Sequence, residues 1–205
     1  MKKKKRVALE KRMTSETNIA AELNLDGAGK TKINTGIGIL DHMLELFAFW
    51  GFFDLNIAAK GDLKVDLHHT NEDIGIVLGE LFKKALADKR GIRRFGFAQV
   101  PMEEIVANVV LDISGRGFFR FKADKNLISS ESQAGYSLTD AEHFFDAFAK
   151  HLGVNLNITL DLVKSNSDLH AALETIFKAL GLALDQAVLI DPRRKSIPST
   201  KGVID

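Results

Sequence analysis

The sequence predicts an α+β fold built from two pseudo-symmetric halves in tandem, and three observations carry that expectation. The stretch DLHHTNED, Asp66 to Asp73, returns about one hundred residues later as DLHAALET, Asp168 to Thr175, without a gap. DHMLELFAFWGFFDLNI (41–57) lies over EHFFDAFAKHLGVNLNI (142–158), pairing His42 with His143 and ending in the same LNI. In both halves the apolar residues switch between a period of two and a period near 3.6, as strands alternating with helices do. A repeat on this scale decides the fold class before any single element does.

In chain order, NIAAELNLDG (18–27) alternates like a strand and ends in a turn. TGIGILDHMLELFAFWG (35–51) passes from a Thr/Gly-rich loop into helical spacing, with Ile39, Met43, Leu46 and Trp50 on one face. DLNIAAKGDLKVDL (54–67) reads as a pair of short strands around Lys60–Gly61. From Asn71 to Ala87 the residues Ile74, Val77, Leu78, Leu81 and Phe82 restore the helical period. The turn-rich DKRGIRR (88–94) is the seam, giving half-repeats 1–90 and 91–205 around one shared core. Beyond it, 95–117 reads as two strands and TDAEHFFDAFAKHLG (139–153) as a helix capped by Thr139 or Asp140. GVNLNITLDLV (153–163) is a strand and AALETIFKALGLALDQAV (171–188) the last helix. Ile74, Leu78 and Gly79 fall over Ile176, Leu180 and Gly181.

Composition removes several function classes. Of a formal charge of +1, five positives sit in Lys2–Arg6, which leaves −4 on the remainder and argues against a basic nucleic-acid face. The KKKKR run reads as a solvated tail. With no cysteine there is no disulfide, zinc–thiolate site or thiol nucleophile. No apolar run reaches the length of a membrane span, and no signal-peptide core follows the lysines. A soluble cytoplasmic protein is expected.

The histidines carry the chemistry. There are six, and five occupy repeat-related places: His42 with His143, His68 with His170, and His69, which faces Ala171. On a helix start, His68 and Glu72 share a face and His69 flanks it. Neutral imidazole with carboxylate suits a borderline divalent ion such as manganese, zinc or iron. A lone histidine beside a helix is more often a hydrogen-bonded structural residue. Two copies of the segment, each preceded by a helical histidine, point instead to metal binding.

At this point the ordered motifs TSET, TGIGILDHML, GDLKVDLHHTNEDIGI, GIRRFG, VPMEE, LDISGRG, EHFF, ETIFKAL and IPSTKG resemble those of the imidazoleglycerol-phosphate dehydratase family, over nearly the whole chain. The resemblance implies two tandem halves of the ribosomal protein S5 domain 2-like type, with helices packed between two mixed four-stranded sheets. It implies two Mn2+ ions per site, placed where subunits meet in a 24-subunit shell. The implied reaction removes water from imidazole glycerol phosphate to give imidazole acetol phosphate, in histidine biosynthesis. Carried over by position, the metal ligands are His42, His68, His69, Glu72, His143, His170 and Glu174. Glu16 and Glu174 match the acid–base carboxylates, and Glu103 stands where Asp is usual. Arg94, Arg116, Lys178, Ser199 and Lys201 match the phosphate-binding groups, whose forks and hydroxyls suit phosphate oxygens.

This chain departs from the family pattern at several points. Ala171 replaces the second imidazole of the repeated segment, so one expected ligand is missing and metal occupancy is expected to suffer. Trp50 replaces a His of the phosphate pocket, where it either reshapes the pocket or packs on the helix face with Met43 and Leu46. Leu46 replaces a frequent Gln, Asn157 a frequent His, and Asp168 a frequent Asn. The expected function is therefore the dehydratase with reduced activity. The alternative is a non-catalytic relative, a structural shell or small-molecule binder with a degenerate metal site. A fold-related small-molecule kinase is disfavoured, because TGIGIL leads into a His-bearing helix rather than forming a phosphate loop.

Overall fold

The same six elements occur twice, in the same order. The computed structural model describes residues 5–124, 126, 128, 132–162 and 167–204. The first half runs β1 (Val7–Met13), β2 (Thr17–Asn24), β3 (Thr31–Asn34), α1 (Gly38–Trp50), β4 (Asp54–Gly61) and α2 (His68–Leu86). The second runs β5 (Phe95–Met102), β6 (Ile105–Asp112), β7 (Phe118–Lys122), α3 (Leu138–Leu152), β8 (Asn155–Leu162) and α4 (Leu169–Val188). The sheets have matching orders, β1-β2-β4-β3 and β5-β6-β8-β7. Each is mixed: β3 runs parallel to β4 and β7 to β8, with α1 and α3 as the crossovers, while the other pairs are antiparallel. The α+β class with two four-stranded mixed sheets is as expected.

Alternation builds the sheets. Thr17, Ile19, Ala21 and Leu23 of β2 point inward, as do Ile105, Ala107, Val109 and Leu111 of β6. In the layer between the sheets, α2 packs against β1 and β2 and α4 against β5 and β6. The halves join because α2 crosses α3 and α1 crosses α4. Rings run through this seam from Phe47 to Phe53, Phe82, Phe148, Phe144 and Phe177. Each buried ring stabilises the fold by roughly 1.5–3 kcal/mol. The repeated glycines mark the crossings. A Cβ on Gly79 would lie 2.8 Å from the Phe148 carbonyl oxygen, and one on Gly181 would meet the carbonyl of Phe47.

Several elements differ from expectation. Residues 54–67 hold one strand, not two. β4 pairs with β2 along its whole length and ends at Gly61, and the chain then turns, with Val65 N–H donating to Asp62 O at 2.7 Å. The alternation in LKVDL is not a face, since Val65 is 73% exposed. α2 starts at His68, three residues before its apolar period begins. The cap of α3 is Ser137 rather than Thr139 or Asp140, in a reciprocal capping box with Asp140. The buried stripe of α1 is Leu40, Met43, Leu44 and Phe47, while Trp50 is 41% exposed. The edge strands β1, β3 and β7 had no counterpart in the sequence reading. Lys2–Lys4 and Val163 lie outside the described residues, but Arg6 is no solvated tail. It makes a fork on Asp26 at 2.8 and 3.0 Å and donates to Val188 O at 2.5 Å. Among the described residues no helix is long and apolar enough to cross a membrane.

Candidate functional site

The helix histidine of each half meets the HxxxE segment of the other. His42 on α1 places Nε2 3.0 Å from Glu174 Oε1 on α4. His170 Nε2 lies 3.0 Å from the same oxygen, and the two rings stack with centroids 5.4 Å apart. Reciprocally, the His143 ring of α3 stands edge-on to His68 of α2 at 4.9 Å, and His68 Nε2 is 3.7 Å from Glu72 Oε2. The repeat pairs His42 with His143 in sequence, and the helix crossings exchange their partners in space.

Local sequence explains each placement. His170, Glu174 and Lys178 are spaced by four along α4 and form one stripe. The first turn of that helix is capped by Asp168, whose carboxylate accepts from the N–H groups of His170 and Ala171 at 3.2 and 3.3 Å. The starts of α2 and α3 are tied together: Tyr136 OH donates to Asn71 Oδ1 at 2.9 Å, and Asn71 Nδ2 donates to Asp140 O at 2.7 Å. This link holds His143 against His68.

Charge is unequal across the site. Lys178 Nζ reaches Glu174 Oε2 at 2.5 Å. Burial works against ionisation of Glu174, but Lys178, His42 and His170 together outweigh it and hold the carboxyl at about 2. A third group forms at the start of α2, where His69 Nδ1 lies 3.0 Å from Asp62 Oδ2 and 3.6 Å from Glu16 Oε2. The bond to Asp62, helped by the charges of Glu16 and Asp62, overcomes partial desolvation and raises the His69 pKa. Potential ligand atoms of His42, His170 and Glu174 lie within 4.8 Å of one another, and so do those of Glu16, Asp62 and His69. Clustered imidazole nitrogens and carboxylate oxygens at that separation fit a divalent ion. Ala171 breaks the symmetry: it is only 4% exposed and packs in the core, whereas its repeat partner His69 reaches the surface cluster.

The phosphate candidates are less gathered. Arg94 makes a fork on Asp112 at 2.6 and 2.9 Å and donates Nη1 to Pro198 O at 2.9 Å, so it anchors the segment that carries Ser199 and Lys201. Lys178 sits with Glu174 instead. Arg116 is exposed in the β6–β7 turn, and Glu103 is exposed at the tip of the β5–β6 hairpin with φ +51°. An open cleft of about 550 Å3 lies between the Gly36–Ile39 loop, Leu63, Leu67 and the rings of His42 and His170. Trp50 stands edge-to-face on Phe49 at 5.6 Å at the exposed end of α1, which excludes its packing in the core with Met43. Asn157 lies in register between Val110 and Arg120. His151, opposite Trp50 in the repeat, pairs with Glu80 at 3.1 Å.

Sequence reasoning missed Asp62, Asn71, Tyr136 and Asp73. Tyr136 reaches Asn71 only once the halves fold together, and Asp62 meets His69 only through the turn after Gly61. Asp73 stands in the quoted motif, but nothing in the spacing gave its partner.

The family model described as imidazoleglycerol-phosphate dehydratase matches residues 35–184. The imidazoleglycerol-phosphate dehydratase of Pelobacter propionicus is 49% identical over 199 residues, covering 97% of this chain and 99% of that protein. That of Methanocella arvoryzae is 51% identical over 193 residues, covering 94% and 96%. Among solved structures, the dehydratase of Staphylococcus aureus superposes with a TM-score of 0.76 at 35% identity, covering 90% of this chain and 99% of that one. The Pyrococcus furiosus structure gives 0.79 at 34%, covering 95% and 99%.

Proposed function

The chain belongs to the imidazoleglycerol-phosphate dehydratase family, and from that premise we propose that it converts imidazole glycerol phosphate to imidazole acetol phosphate with Mn2+, at a site weakened by Ala171. It is a dehydratase of histidine biosynthesis by family. The metal reading is supported above all by the convergence of two imidazoles on one oxygen of Glu174.

His42, His170 and Glu174 would hold one ion, and His68, His69, Glu72 and His143 a second. A divalent ion there supplies Lewis-acid polarisation of the substrate's imidazole ring. Elimination of water needs one group to accept the proton leaving carbon and another to give a proton to the departing hydroxyl. Glu174 is assigned the acceptor's task from its place in the family motif, where it stands between the two imidazoles and Lys178. Glu16 fits the donor's better than Glu103, because it faces His69 at 3.6 Å whereas Glu103 stands at the tip of the β5–β6 hairpin. Arg94, Arg116, Lys178, Ser199 and Lys201 are assigned to the phosphate, with Lys178 shared between phosphate and Glu174. These groups are spread over the surface of one chain. A large homo-oligomer, the 24-subunit shell of the resemblance, would bring them together from neighbouring subunits in the cytoplasm.

The test is a dehydratase assay on protein stripped by a chelator and titrated with Mn2+, with light scattering followed throughout. Metal-dependent product formation on a large particle is expected, and turnover rises when Ala171 is replaced by His. A protein that is monomeric with Mn2+ and inactive even as Ala171→His would be a non-catalytic relative.

A further inference from the structure

We propose that Asp62 is the positioning residue for His69: its carboxylate accepts the Nδ1 proton and so leaves the Nε2 lone pair free as the ligand atom for a divalent ion. This rests on the reading of His69 as a metal ligand and goes beyond it: Asp62, whose oxygen clusters with His69 and Glu16, becomes the partner behind the ring rather than a ligand itself.

The local chain is built to deliver this carboxylate. β4 ends at Gly61, and a Cβ there would collide with Thr70 Oγ1 on the first turn of α2. Glycine therefore lets the strand end press against the helix start. The next residue, Asp62, is fixed in a turn by the Val65 N–H bond to its carbonyl. Its Oδ2 then meets His69 Nδ1 at 3.0 Å. The competing carboxylate, Glu16, is farther away at 3.6 Å and more exposed, so the Asp62 bond sets the ring. Among the described residues Asp62 Oδ1 is buried and has no hydrogen-bond partner, so the bond to His69 is made by Oδ2 alone. A carboxylate behind an imidazole fixes its tautomer and orientation and raises its basicity toward metal.

The experiment titrates chelator-stripped full-length protein with manganese(II) chloride by calorimetry, for the wild type, His69→Ala, Asp62→Ala and the isosteric Asp62→Asn. Nitrogen NMR of the His69 ring in metal-free protein accompanies it. The ring is expected to carry its proton on Nδ1 in the wild type and to shift toward the Nε2–H form in Asp62→Ala. Mn2+ affinity should fall roughly 10–100-fold in Asp62→Ala and less in Asp62→Asn, whose amide oxygen can still accept the proton. If His69→Ala binds Mn2+ as the wild type does, the ligand reading fails and this inference with it. If His69→Ala weakens binding but both Asp62 variants match or exceed the wild type, the ligand reading stands and the inference is overturned. Wild-type protein with the proton on Nε2 would overturn it as well.

Discussion

Thr17 donates its hydroxyl to Asp73 Oδ2 at 2.5 Å, and Arg12 Nε donates to the other oxygen of the same buried carboxylate at 2.7 Å. Thr17 follows Glu16, and Asp73 follows Glu72, so one carboxylate locks the β1–β2 turn onto the helix that bears His68 and His69. Within the turn, Thr14 Oγ1 accepts from the N–H groups of Glu16 and Thr17 at 3.1 and 2.9 Å. The TSET motif thus works as a clamp that aims Glu16. Asp73→Asn keeps the shape but removes the charge facing Arg12. It should cost about 1–3 kcal/mol in denaturant unfolding and lower kcat more than it changes KM. A variant as stable and as fast as the wild type would mean that the clamp does not hold Glu16.

Ala171 presents the opposite situation, a missing group rather than a linking one. Because the position is packed, Ala171→His must push its ring toward the Asp168 cap or displace core neighbours. The expected result is Mn2+ binding tighter by roughly tenfold or more, together with metal-free stability lower by about 1–3 kcal/mol from overpacking. Calorimetry and thermal melting of the stripped protein measure both. Unchanged affinity would remove Ala171 as a vacant ligand position.

Much of this was legible because repetition amplifies weak signals. A single HHxxE says little, but its copy with a matching helical His made the two-half fold readable and drew attention to the histidines that meet Glu174. The exchange of partners, His42 to Glu174 and His143 to His68, was not legible, since it depends on how the helices cross. The edge strands β1 and β3 escaped because only one or two of their side chains reach the core, so their apolar pattern is short and diluted by lysine and glutamate. Ser137 escaped for a different reason. The Ser-x-x-Asp box is present in the sequence, but Thr139 and Asp140, two and three residues later, are themselves good caps and compete with it.

Trp50 is the departure whose two readings the fold separates. With 41% of its surface exposed and its ring edge-to-face with the exposed Phe49 at 5.6 Å, it stands outside the buried core. Trp50→His should cost less than about 1 kcal/mol, the scale of one exposed aromatic pair. If the indole crowds the phosphate end of the site in the assembled particle, Trp50→His with Ala171→His will lower KM beyond Ala171→His alone. Equal KM values in the single and double variants would show that Trp50 lies outside the pocket.

Glu103 joins strain to chemistry. The β5–β6 hairpin pairs Met102 with Ile105, so Glu103 and Glu104 form a two-residue turn, and Glu103 takes φ +51°. A side chain with a Cβ pays roughly 1–2 kcal/mol in that left-handed region, and Asn or Asp escapes part of the cost by local hydrogen bonding. Glu103→Asn should therefore raise stability by about 0.5 kcal/mol, on the order of 2 °C in Tm for a chain of this size. Asn cannot transfer a proton. If Glu103 serves as an acid–base group, as its place in the family motif implies, kcat of Glu103→Asn should fall roughly 10²–10⁴-fold with KM little changed. Glu103→Asp relieves the turn and keeps the carboxyl, so it should melt higher than the wild type and remain active. Thermal melts and initial rates on the three proteins separate the effects. An Asn variant that is both more stable and fully active would make Glu103 a strained turn residue with no part in the chemistry.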